Sequence, residues 1–281
     1  MQTYVPPTPP RRTIRLTRRG RTVLIAAGAV VAASAVAVPL LSADGGKETR
    51  VLVIPEGWRS GQVYEAVDKV LALPVGTSSK SLEKAHLDLP DDANGNPEGY
   101  LFPATYLVDG KATPASLLSH MVETANRKFG AGAVPAGAER NAMNVYQTVT
   151  VASIVQAEGV TGADMGRLAR VIYNRLDRGM PLQMDSTVNY ALNRGTLRVT
   201  RNDTRLASPY NTYARMGLPP TPVANPGEDA MRAAVTPTPG DWLYFVTVKD
   251  GDTRFTADNA EHGKNVAESR RGAERASPSS G

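Results

Sequence analysis

The chain of 281 residues contains no cysteine. That removes disulfides, thiolate nucleophiles and Cys-ligated zinc, and it leaves the redox compartment undecided, because an extracytoplasmic protein need not carry a bridge. Histidine is scarce: His86, His120 and His262 stand far apart in sequence, without metal-ligand spacing, and a surface or helix role fits each better than ligation. There is no G-x-S-x-G elbow, no H-E-x-x-H helix and no phosphate-binding glycine loop, so the usual hydrolytic signatures are missing. What remains is carboxylate chemistry, with no metal or cofactor implied.

Acidic residues are absent from the first 41 positions, where Arg11, Arg12, Arg15, Arg18, Arg19 and Arg21 are the only charged side chains. With those six removed from the net charge of +5, everything after residue 41 sums to −1. The rest of the chain therefore has no global excess of positive charge to attract nucleic acid. Residues 22–41, TVLIAAGAVVAASAVAVPLL, carry no charge and at ~1.5 Å per residue are long enough to cross a bilayer as a helix. The arginines before them predict a cytoplasmic N-terminus and an extracytoplasmic remainder. A cleaved signal peptide competes, since Ala35-Val36-Ala37 resembles a cleavage site, but the apolar run exceeds the usual ~7 to 15 residues and favours a retained anchor.

At 41% hydrophobic, the chain can bury one large core or two smaller ones. RVLVIPEGW begins as an alternating strand, and SGQVYEAVDKVLAL carries Val63, Ala66, Val67, Val70 and Leu71 on one helical face, a small α/β unit. Residues 74–97 read as an irregular connection, EGYLFPATYLV as too irregular for a plain strand, and 114–129 as a helix. Asn141 is placed to cap an almost wholly apolar helix running to Glu158. Thr161 opens a further helix that Gly179 ends, and Asn225-Pro226-Gly227-Glu228 opens another with proline at its first position. WLYFVTV, Asp250-Gly251 and TRFT predict a hairpin, followed by a closing helix over 258–271. The fold class is α+β with a helical centre.

Glu158 follows seven uncharged residues, VASIVQA, and precedes Gly159. Apolar neighbours and the negative end of a helix dipole both favour its protonated form, and a carboxylic acid held protonated suits acid-assisted cleavage of a glycosidic bond. The plainer reading is a helix-end glutamate in water. LQMDSTVNYAL supplies Gln183 and Asp185, and SPYNTYARMGLPPTPVANPG supplies Tyr210, Asn211 and Tyr213. Aromatics beside amides and carboxylates suit sugar faces and hydroxyls. Equally, Asp185 can cap a helix beginning near Ser186, and the two tyrosines can pack in the core.

IPEGW, EGYLFPATY, ASIVQAEG, YNRLDRGMPLQMDSTVNYAL, SPYNTYARMGLPPTPVANPG, LYFV and AEHGKNVAESRR succeed one another between about residues 51 and 271. In that order they resemble the motifs of the membrane-bound endolytic murein transglycosylases, the MltG or YceG-like family. The resemblance implies a single-pass membrane protein that cuts peptidoglycan glycan strands internally, with Glu158 as catalytic acid and base. Gln183, Asp185, Tyr210, Asn211 and Tyr213 become substrate-binding candidates, and peptidoglycan synthases become candidate partners. The expected organisation is a basic tail at 1–21, a transmembrane helix at 22–41, a linker with a truncated LysM-like subdomain at 42–97, a catalytic domain at 98–271 and a disordered tail at 272–281. Two features depart from the family. Members often carry two acids in the I-V-E-x-E stretch, whereas here the first is Gln156, and the subdomain before IPEGW is short. The alternative function is a wall-binding or division-complex scaffold that keeps the fold without turnover.

Overall fold

The computed structural model describes residues 49–276 except 84, 196–198 and 250. The expected span at 22–41 lies outside them. Among the described residues no helix is long and apolar enough to cross a membrane.

Strand β1 (Arg50–Val53) alternates as its sequence predicts, with Leu52 buried and Val53 exposed. Helix α1 (Ser60–Val70) lays Val63, Ala66, Val67 and Val70 against it. The short helix α2 (Thr77–Ser81) is tied to α1 by buried Asp68, which accepts from the Gly76 and Ser78 N–H groups and the Ser78 hydroxyl at 2.6–2.8 Å. Strand β2 (Thr105–Val108) then pairs antiparallel with β1, Leu52 opposite Tyr106. The strand-helix-helix-strand unit closes only at Val108, and its last strand lies in the stretch that seemed too irregular to form one. The chain bends at Leu101 and Ala104 just before β2, and this local irregularity masks the alternation that follows.

Helix α3 (Pro114–Phe129) starts with a reciprocal Thr113–Ser116 cap and Pro114 at its first position. Helix α4 (Ala133–Arg140) ends at Asn141, whose amide donates to Gly137 O and Val235 O. Asn141 therefore closes one helix rather than opening the next. The cap of α5 (Val145–Ala157) is Asn144, paired reciprocally with Gln147. Val149, Val151, Ile154 and Val155 on α5 are fully buried, and at ~1.5–3 kcal/mol for each buried side chain the helix is a principal source of stability. It is buried nearly all round, with Thr148, Thr150 and Ser153 among its buried residues, because other helices pack against it.

Helix α6 (Gly162–Asp177) and helix α8 (Glu228–Val235) pack on α5 and on each other, with the Tyr173 hydroxyl donating to Ala234 O at 2.9 Å. Between them in sequence lies the seven-residue helix α7 (Asp185–Ala191). The cap of α8 is Gly227 rather than Asn225, because Asn225 is turned inward to bond the backbone at Leu101 and Trp58. Strands β3 (Tyr244–Lys249) and β4 (Asp252–Thr256) form the expected hairpin, covered by helix α9 (Asn259–Ala276). That helix continues through residues 272–276, which were expected to begin a disordered tail.

Candidate active site

Helix α5 ends at Ala157 with Glu158 as its closing residue, and Gly159 follows at φ +67°, the left-handed position that terminates many helices. This aims the Glu158 side chain beyond the helix, into a cleft of about 590 Å³. Its lining includes Gln183, Asp185, Ser186 and Tyr213, together with residues 245–247 of β3 and, from α9, His262 and Arg270.

The Glu158 residue keeps partial solvent access, yet protein atoms crowd its carboxyl. This desolvation pushes its pKa up, the neighbouring Asp185 charge adds to the rise, and hydrogen bonds from Ser186 oppose it. The Ser186 backbone N–H donates to Oε1 at 3.1 Å. Gln156, two residues earlier, accepts from the Gly227 N–H at 3.0 Å, so it secures the start of α8. Of the two, only Glu158 lines the cleft.

Asp185 is the first residue of α7, and its own carboxylate gives that helix no capping bond. It accepts instead from the Tyr213 hydroxyl at 2.5 Å. Burial raises its pKa, against the pull of Tyr213 and the Val199 N–H. The Tyr213 hydroxyl is itself pushed up, first by burial and then by the Asp185 hydrogen bond. The capping alternative for Asp185 and the core alternative for Tyr213 thus give way to a linked pair on the cleft wall.

Gln183 also reaches the cleft, from a left-handed backbone at φ +53° that is uncommon outside glycine. Its N–H donates to Thr212 O at 3.0 Å, and its side-chain oxygen accepts from Arg175 at 3.3 Å. Arg175, only 5% exposed, also donates to the carbonyls of Leu182 and Leu243 at 2.7 Å each. One guanidinium therefore joins the Gln183 loop to the start of the β-hairpin.

The structure does not bring Tyr210 and Asn211 to this cleft. Tyr210 stacks obliquely on Tyr190 with ring centres 4.9 Å apart and shares a hydrogen bond with Thr221. Asn211 is fully buried, donating to Thr204 O and Leu206 O and accepting from the Tyr213 N–H. It shapes the loop that presents Tyr213. The sequence singled out none of Arg175, Ser186, Ser269 and Arg270, and it suggested a surface or helix role for His262; the YNRLDRG and AEHGKNVAESRR stretches contain four of these five and LQMDSTVNYAL the fifth. His262 stacks on Tyr244 at 5.1 Å, and burial followed by the Arg175 charge lowers its pKa, which keeps the ring neutral at pH 7. Among the described residues no three acidic or histidine side chains converge as a metal ion would require.

An α+β fold with a protonation-prone glutamate lining a polar cleft is the class of protein that this fold and site define. The model of the YceG-like family matches residues 31–268, and the chain belongs to that family. It is 38% identical over 168 residues to the endolytic murein transglycosylase of Bacillus subtilis strain 168, covering 59% of this chain and 46% of that protein. It is 35% identical over 177 residues to the endolytic murein transglycosylase of Streptococcus pneumoniae serotype 2 strain D39, covering 61% of this chain and 32% of that protein. The matched regions thus span half or less of these curated relatives. The crystal structure of a yceG-like protein from Listeria monocytogenes superposes with a TM-score of 0.68 at 31% identity, over 76% of this chain and 75% of that one.

Proposed function

We propose that the chain is a lytic transglycosylase that cleaves the MurNAc-GlcNAc β-1,4 bond within peptidoglycan strands, terminating or trimming them. The observation that carries this reading is Glu158: a cleft-lining carboxyl at the end of α5, raised in pKa by burial, with Gln156 engaged elsewhere at the Gly227 N–H. The relatives' printed activity supports the substrate class.

In the reaction, the Glu158 carboxylic acid protonates the glycosidic oxygen. The bond from that oxygen to the MurNAc C1 breaks, and the GlcNAc side leaves with the proton as its 4-hydroxyl. The oxocarbenium-like or acetamido-assisted species at C1 is captured by the MurNAc 6-hydroxyl, whose proton returns to the Glu158 carboxylate as the 1,6-anhydro ring closes. No water is consumed. An intramolecular nucleophile of high effective molarity needs no second carboxylate to aim a water. Asp185, Tyr213 and Gln183 orient the sugar from the cleft wall.

Incubating the purified full-length chain with peptidoglycan and analysing the released muropeptides by mass spectrometry tests this reading. New anhydro ends support it. Reducing ends alone make the enzyme a hydrolase, and no cleavage favours a non-catalytic scaffold. The same proposal places residues 22–41 as a retained anchor in the cell membrane with the cleft outside, where nascent glycan strands and peptidoglycan synthases are within reach.

A further inference from the structure

A buried carboxylate with a raised pKa lies outside the cleft. Glu98, within EGYLFPATY, is 3% exposed. Its Oε1 accepts from the Ser60 N–H at 3.0 Å and the Asn225 amide at 3.4 Å, and its Oε2 from the Tyr190 hydroxyl at 3.1 Å. Gly99 beside it takes φ +85°, and a β-carbon there would stand 2.6 Å from Pro222, so the chain reaches this point only with glycine. Burying a carboxylate is costly unless its partners are well placed. Nothing in the proposed reaction uses Glu98.

What Glu98 holds is the far end of α7. Tyr190 lies one residue before the end of that helix. Arg59, adjacent to Ser60, sits over the Tyr190 ring at 5.2 Å and donates to the carbonyls of Asn189 at 3.4 Å and Arg194 at 2.9 Å. The other end of α7 presents the Ser186 N–H to Glu158. Seven residues at ~1.5 Å rise make a rod about 10 Å long, gripped at one end by Glu98 and Arg59 and touching the reactive carboxyl at the other.

We propose that Glu98 is a positioning residue for glycan cleavage, acting through Tyr190 and α7 to fix where Ser186 meets Glu158. The strand-helix-helix-strand unit then contributes to catalysis mechanically, because Arg59 and Ser60 stand at the start of its helix α1. This rests on the assignment of Glu158 as the acid.

The test compares Tyr190→Phe, which removes one hydroxyl and keeps the ring, with Glu98→Gln, which sets an amide against the neighbouring donors. The full-length chain is assayed for kcat, KM and the pH dependence of kcat/KM on peptidoglycan. Tyr190→Phe is expected to lower kcat about 3- to 10-fold with KM within about twofold, since small misplacements of a catalytic group are felt in rate. A loosened Ser186 N–H stabilises the ionised Glu158 less. The acid then keeps its proton to higher pH, and the alkaline limb of kcat/KM moves upward by about half a unit or more. Glu98→Gln should act in the same direction, and the double variant should lose less than the product of the two single losses. Folded variants with wild-type kcat and an unmoved alkaline limb overturn the proposal, as does an activity loss that only follows the unfolded fraction. Glu158→Gln is run alongside. If it cuts normally, the acid assignment fails and takes this inference with it. If it is inactive while both other variants behave as wild type, only the positioning role fails.

Discussion

Two residues apart on the last turn of α5, Gln156 and Glu158 have opposite duties: one fastens α8, the other faces the cleft. The sequence made Glu158 conspicuous because an apolar helix ended in a single acid. Its partners were hidden, since Ser186 contributes a backbone N–H that any residue type could supply. Tyr210 and Asn211 had the right chemistry for sugars, yet the direction of a loop side chain is set by contacts distant in sequence, here Tyr190 and Thr221 for Tyr210. Two predictions belong at this scale. The raised pKa of Glu158 keeps it protonated above the usual carboxylate range of ~4.3. A pH profile of kcat/KM should therefore fall on its alkaline side at a pH above that range; a fall near 4 would mean an ordinary exposed carboxylate. Asp185→Asn removes the charge that faces Glu158 and weakens the bond from Tyr213. We expect turnover about 10-fold lower or worse with the same anhydro product, and wild-type turnover would return Asp185 to a structural role.

Among the elements, α6 and the β-hairpin were legible because each carries its own period and terminators, and the end of α5 because an apolar run stops at Glu158-Gly159. Strand β2 was not, since its pairing with β1 is a contact across more than fifty residues that no local pattern announces. The start of α8 was misplaced because Asn225 had the residue type of a cap but spends its side chain on the backbone at Leu101 and Trp58. Arg175 shows what joins elements into a site: it reaches carbonyls before α7 and at the base of the hairpin. Arg175→Lys keeps the charge but cannot span that fork. It should cost about 2 kcal/mol in denaturant unfolding and lower glycan cleavage together, because two or more hydrogen bonds to a buried charge are lost. Unchanged stability would show that the guanidinium is replaceable.

Across the whole molecule, raised carboxylates outweigh the surface ion pairs in setting the response to pH. Burial pushes Glu98 up to about 7, and Glu158 and Asp185 move in the same direction. A group whose pKa rises on folding stabilises the native state below its unfolded pKa and loses that contribution as pH climbs through the folded value. Stability should thus decline between about pH 4.5 and 7, with Glu98 contributing up to about 3 kcal/mol of the change. Denaturant melts across this range should show the slope, and Glu98→Gln should flatten it; an equally steep slope in the variant would assign the decline to other groups.

The central claim joins residue, element and molecule in one product: Glu158 gives a proton to the leaving oxygen and takes one from the 6-hydroxyl. General acid-base assistance is typically worth ~10² to 10⁴ in rate, and this site would use it twice. The most direct measurement is mass spectrometry of the ends made on intact peptidoglycan by the wild-type chain and by Glu158→Gln. The account predicts 1,6-anhydroMurNAc termini, lighter by one water than hydrolytic ends, from the wild type and almost none from a normally folded Glu158→Gln. Reducing ends alone from the wild type, or undiminished cutting by the variant, would contradict it.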